Sequence, residues 1–115
     1  MTEVALREQR CEACTGATPL LTDAELERLR AQLHPDWQVE GDPRRLRRDI
    51  RTRDFITAFA LATRVALYAE SVGHHPDLNV SWGRLQVVIW THKAKGLTRS
   101  DLVFAAHADA AAEGG

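Results

Sequence analysis

The 115-residue chain is poor in cysteine, methionine, tyrosine and proline, and it is almost without net charge. Its two cysteines, Cys11 and Cys14, form a single CxxC near the N-terminus. A structural zinc site takes four ligands, and no second CxxC or local CxxH pair completes this one, which sets aside the zinc-ribbon and zinc-finger classes. Read alone, the motif is a reduced thiol pair in a loose arm; a metal shared between subunits or a redox pair are the alternatives. Fifteen basic against sixteen acidic side chains leave a net charge of -1, so the chain is not built to coat nucleic acid or an anionic membrane. Glycine-rich nucleotide loops and nucleophile elbows are also missing. The first ten residues carry Glu3, Arg7, Glu8 and Arg10 where a secretory signal would have an apolar core, and no run is expected to span a membrane. The expected location is cytoplasmic, with a small-molecule or protein partner, no direct nucleic acid and no membrane.

What is present is the composition of one globular domain, 44% hydrophobic and 27% charged. A chain this short buries a modest core, so association into a homodimer or homotetramer is an expected source of extra stability. Residues 1–20 show no sustained periodicity and end in the turn-forming run Thr15 to Pro19; they read as a flexible N-terminal arm preceding a domain over 21–115.

Thr22, Asp23, Ala24 and Glu25 form a capping box that opens a helix with Leu26, Leu29 and Leu33 on its apolar stripe, closed near His34 by Pro35. Trp37 and Val39 then alternate with polar neighbours, Gly41, Asp42 and Pro43 supply a turn, and a second strand is expected over 44–52. That strand holds Leu46 and Ile50 among five arginines and reads as half exposed. Asp54 caps a long second helix whose Phe55, Phe59, Ala62, Ala66 and Ala69 recur at spacings of three and four, ending near Gly73. Strands follow over 79–82 and 85–91, joined by Gly83 and Arg84. Thr98 to Asp101 form another capping box, opening a last helix whose end from Ala111 is expected to fray. The order αββαββα predicts an α+β fold, a four-stranded antiparallel sheet with helices packed on one face.

Chemistry concentrates in the histidines. His74 and His75 are adjacent where the long helix stops, with Gly73 before and Pro76 after, a loop suited to aiming two imidazoles at one ligand. Glu70 lies four residues before His74, a helical spacing that brings its carboxylate toward that ring. His92 ends the last strand, and a third imidazole at the same rim would complete an acid and base set titrating near neutral pH. Asp101 is explained as the last residue of a capping box and could also orient His92. His34 and His107, beside amphipathic helices without a polar cluster, read as packing or surface residues. Three histidines with nearby carboxylates invite a zinc comparison, but adjacent ligands suit one ion poorly and the HxH and HxxxH spacings are absent, so no metal is expected. The arginines between Arg44 and Arg53 lack interleaved aromatics and read as a solvated strand face.

The run Glu70, three residues, His74, His75, Pro76, then Trp82, nine residues, His92, eight residues, Asp101 strongly resembles the signature of the pterin-4a-carbinolamine dehydratases. The resemblance extends from about Leu21 to Ala108, taking in Trp37, Asp54, Phe55 and the stretch Thr63 to Leu67, and Cys11 to Cys14 resemble the arm of bacterial members. It implies an enzyme that converts 4a-hydroxytetrahydropterin, the product of aromatic amino acid hydroxylases, to quinonoid dihydropterin and water, without metal or bound cofactor. His74 and His92 would be acid and base in an undecided order, and His75, also catalytic, would position the pterin and could share in proton transfer. Glu70 and Asp101 would support them, and Pro76, Thr91, Lys93, Ala94 and Trp37 would help bind substrate. Gly73 and Leu78 depart from animal members, which carry an acidic residue and an aromatic there. The other reading implied by the fold is a noncatalytic assembly or dimerisation factor; a catalyst that also binds a hydroxylase or a transcription factor is a further one.

Overall fold

The computed structural model describes residues 4–11 and 17–114. A single 3-10 turn at Leu6–Glu8 precedes helix α1 (Asp23–Arg30), strands β1 (Gln38–Glu40) and β2 (Arg45–Arg51), helix α2 (Phe55–Val72), strands β3 (Asp77–Ser81) and β4 (Arg84–Ile89), and helix α3 (Arg99–Glu113). The four strands form one antiparallel sheet in the order β1-β2-β4-β3. The expected α+β order is the observed one.

Strict alternation decides which face of the sheet is covered. Leu46, Arg48 and Ile50 of β2 and Leu85, Val87 and Ile89 of β4 are buried beneath the helices, and Leu78 and Val80 of β3 join them opposite Val87 and Leu85. Arg45, Arg47, Asp49 and Gln86 stand on the open face, where Arg47 pairs with Glu40 and Asp49. Arg48 corrects the reading of the arginine run as wholly solvated. It points under the helices, where its Nη1 donates to the buried Asp109 of α3.

Local chemistry starts and stops the helices. Thr22 Oγ1 accepts from Glu25 N (3.1 Å) while Glu25 Oε1 accepts from Thr22 N (2.9 Å). Asp54 Oδ1 accepts from both the backbone N (2.9 Å) and Oγ1 (2.6 Å) of Thr57, which holds the Asp54 carboxyl below its usual range. Gly73, in the left-handed region at φ 66°, terminates α2.

Several expected boundaries move for tertiary reasons. Helix α1 stops at Arg30 rather than near His34, and His34 N instead donates to Asp109 Oδ2 (2.8 Å). Strand β3 begins at Asp77, because pairing with β4 resumes directly after Pro76. Strand β4 ends at Ile89, and Thr91 bridges to Gly96 across a tight reversal. Helix α3 stays helical to Glu113 instead of fraying from Ala111; Ala111 and Ala112 pack on the core and Arg7 Nη1 bonds Glu113 Oε2 (2.9 Å). The same contacts correct the expectation of a loose arm over Val4 to Cys11. Leu6 and Cys11 are buried, Leu6 N donates to Gln32 Oε1 (2.9 Å) and Cys11 Sγ lies 3.5 Å from Ser100 O. Cys14 lies outside the described residues. Finally, α2 is long and apolar enough to cross a membrane by length and composition, contrary to expectation; here Ala58, Leu61, Ala62, Val65 and Ala69 bury one side of it.

Candidate active site

The end of α2 and the end of β4 meet at one rim of the sheet. A cavity of about 320 Å³ opens there, lined by Gly73, His74, His75, Trp90, Thr91, His92 and Lys93. The three histidines expected to act together therefore face one space. Pro76 and Ala94 lie beside it without lining it. Trp37, expected at the substrate, is elsewhere: fully buried, with Nε1 donating to Asp109 Oδ1 (2.8 Å). An indole is drawn into a core when its single donor finds a buried acceptor.

The carboxylates are partnered the other way round from expectation. Glu70 meets His75, at 2.8 Å from Nε2, and not His74; Asp101 meets His74, at 2.7 Å from Nε2, and not His92. The left-handed Gly73 swings the chain off the helix axis, so the four-residue spacing from Glu70 no longer delivers His74. The His74 ring instead turns inward, edge-on to Phe104 at 6.0 Å, and reaches the first turn of α3. The two pairs differ in setting, since the side chains of His74 and Asp101 are 12% and 0% exposed while those of His75 and Glu70 are 60% and 80% exposed.

Asp101 does two things at once. Its Oδ2 accepts from Thr98 N (2.8 Å), closing the cap of α3, and from Thr91 Oγ1 (2.8 Å), which itself contacts Thr98 Oγ1 (2.9 Å). With Oδ2 so engaged, Oδ1 is left for His74. A carboxylate on Nε2 sets the tautomer with the proton on that nitrogen, leaving Nδ1 as the atom a ligand can meet. Thr91 is thus a supporting residue whose side chain holds the carboxylate.

His92 is held differently. Among the described residues no carboxylate bonds to it; its ring stacks on Trp90 with centroids 4.0 Å apart and planes 9° from parallel. The reversal carrying it is tight, with Lys95 in the left-handed region at φ 61° and Lys95 N donating to His92 O (3.2 Å). Trp90 and Thr98 were not among the expected site residues. Trp90 had a legible signal, because it stands two residues before His92 and a strand continued to His92, as expected from the sequence, would put both on one side.

Of the remaining histidines, His107 packs and His34 is exposed. His107 stacks on Tyr68 at 4.2 Å and its Nε2 lies 2.7 Å from Gln9 O, while His34 Nδ1 accepts from Asp36 N (3.0 Å). Burial pushes the Tyr68 hydroxyl above the usual phenol range. A larger cavity, about 370 Å³, lies between Leu20, Glu25 and Arg99, but it holds no histidine and Glu25 is engaged in the α1 cap. Among the described residues no three His, Cys, Asp or Glu side chains gather as metal ligands.

Comparison with known proteins identifies the family. Residues 19–111 match the family model described as pterin 4 alpha carbinolamine dehydratase. A protein of Rubrobacter xylanophilus, named provisionally as a pterin-4-alpha-carbinolamine dehydratase, is 47% identical over 90% of this chain and 95% of its own length. One from Syntrophotalea carbinolica with the same provisional name is 45% identical over 94% and 97%. Among solved structures, a transcriptional coactivator/pterin dehydratase from Brucella melitensis superposes with a TM-score of 0.75 at 34% identity, covering 82% of this chain and 99% of that one. A pterin dehydratase-like RuBisCO assembly factor shares the fold at a TM-score of 0.58 and 22% identity, over 69% and 95%. The chain belongs to the pterin-4-alpha-carbinolamine dehydratase family.

Proposed function

We propose that this protein dehydrates 4a-hydroxytetrahydropterin to quinonoid dihydropterin and water by histidine acid and base catalysis, recycling the cofactor of aromatic amino acid hydroxylases. The observation that carries the reading is the convergence of His74, His75 and His92 on one cavity, with a buried carboxylate behind His74. Loss of the 4a-hydroxyl needs a proton delivered to that oxygen, so that water departs, and a proton removed from a ring nitrogen, whose electron pair forms the new double bond. One group gives a proton and another gains one, so no net charge accumulates over the cycle.

The partners divide the work. Asp101 stabilises the imidazolium that forms when His74 Nδ1 takes a proton, in the manner of a carboxylate behind a catalytic histidine. That makes His74 the base. His92, with no carboxylate on it, donates to the leaving hydroxyl. His75 and Glu70 stand at the exposed mouth, suited to orienting the pterin edge and exchanging protons with solvent. In this reading the backbone groups of His74, His75 and Thr91 to Lys93, which line the cavity, recognise the polar ring edge. No metal or bound cofactor takes part.

The proposal includes a cytoplasmic homodimer or homotetramer. Supporting it, α2 leaves Phe55, Ile56, Phe59 and Leu67 exposed on its outer side, a stripe that self-association would bury. The test of function is a hydroxylase-coupled assay following disappearance of the carbinolamine spectrum. Acceleration by the protein is expected, and a rate equal to the uncatalysed one overturns the reading.

A further inference from the structure

We infer that Trp90, packed against Arg45, is the positioning residue that holds the His92 ring in its working plane. The inference rests on the proposed dehydratase reading for its catalytic consequence, but not for its geometry. His74 and His75 are each oriented by a carboxylate, whereas His92 is exposed and has no hydrogen bond or ion pair to any described side chain. The near-parallel indole at 4.0 Å is the contact that restrains its ring torsion while leaving both ring nitrogens open to substrate.

Trp90 is itself restrained. Leu46 pairs with Ile89 in the sheet, which brings the preceding Arg45 level with the following Trp90 on the open face. Arg45 Cζ lies 4.7 Å from the indole centroid. The guanidinium and the imidazole thus both pack against the indole. The Arg45 side chain runs past the β1–β2 turn. Gly41 sits there at φ 84°, and a Cβ on it would come 3.4 Å from Arg45 Nε and 3.2 Å from Pro43 O. The face of Trp90 that carries His92 is covered by that ring, and the stack gives Trp90 a positioning role. Placing the brace on the sheet rather than on the 91–96 reversal gives His92 a rigid reference that its own loop lacks.

The test combines ring-proton NMR with kinetics on Trp90→Leu, Trp90→Phe and Arg45→Met. The His92 Cε1–H resonance, assigned by its loss in His92→Gln, lies over the indole and is expected upfield of an ordinary histidine. It moves to the ordinary position in Trp90→Leu, stays upfield in Trp90→Phe, and shifts part of the way in Arg45→Met, which serves on its own should the leucine variant fail to fold. In the coupled assay kcat falls about 10-fold to 100-fold in Trp90→Leu with KM nearly unchanged, and Trp90→Phe recovers most of it. An unmoved His92 resonance in Trp90→Leu and Arg45→Met, or equal kcat losses in the leucine and phenylalanine variants, overturns the inference. Should the wild type show no dehydratase activity, the functional reading falls while the resonance positions still decide whether the stack orders His92.

Discussion

Two aspartates on α3, Asp101 and Asp109, are both buried and both gather donors from distant elements, yet they build different things. Asp109 takes Trp37 Nε1, the backbone N of His34 and Arg48 Nη1. Its charged partner is a guanidinium, and the cluster acts as a clasp between α3, β2 and the chain entering β1. Asp101 takes Thr98 N, Thr91 Oγ1 and His74 Nε2. Its partner is an imidazole that borders an open cavity. A buried carboxylate thus serves as a structural fastening or as the support of a cavity-lining side chain according to which group it faces.

The contrast can be broken experimentally, and the largest effect is expected at the catalytic end. His74→Ala should slow dehydration by about 10² to 10⁴ while the melting temperature stays close to wild type. A wild-type rate would remove His74 from the mechanism. Asp109→Ala should do the reverse, costing about 3–5 kcal/mol in urea unfolding because it strands Arg48 as an unpaired buried charge, with the rate per folded molecule unchanged. Adding Arg48→Met to it should recover part of that loss, and failure to do so would mean that the charge is not what matters there. Asp101→Asn sharpens the comparison from the middle. It retains an acceptor for the α3 cap but withdraws the charge behind His74, so kcat should fall about 100-fold or more with about 1 kcal/mol lost from stability. A large stability loss with little kinetic change would make Asp101 a mere cap.

Smaller effects lie outside both clusters. Thr57, through its hydroxyl and backbone N–H, lowers the Asp54 carboxyl below its ordinary value, so the ionised cap stabilises the fold above the ordinary carboxylate range. That contribution is lost as pH falls through the lowered value. The stability gap between wild type and Asp54→Ala, measured by urea midpoint, should accordingly shrink on acidification; a gap that widens would reverse the sign. Lys95→Gly should add about 1 kcal/mol or less by relieving the left-handed backbone beside His92.

Much of this was readable from local pattern. The capping boxes at Thr22 and Thr98, the Asp54 cap and Gly73 as the stop of α2 are chemistry between residues no more than a few positions apart, and all four stand where expected. So does the meeting of His74, His75 and His92, because a helix end and a strand end at one edge of an αββαββα fold share a rim. Partner choice was not readable. The spacing of Glu70 to His74 assumes that helical geometry continues past Val72, and a single left-handed residue cancels it. Trp37 looked like a ligand-facing aromatic because nothing nearby in sequence says that its N–H will find Asp109, 72 residues away. Arg48 looked solvated among its neighbours because alternation within an arginine run shows no contrast in polarity.

The sequence by itself determined the elements, their order, the family and the three imidazoles, since propensity, capping and motif spacing act over short stretches of chain. Only the tertiary structure decided that Asp101 serves His74, that Glu70 serves His75, that Trp90 supports His92 and that Trp37 stays away from the cavity. Those choices depend on which side chains from separate elements reach the same few ångströms of space, and on buried donors and acceptors having to find partners wherever in the chain those lie.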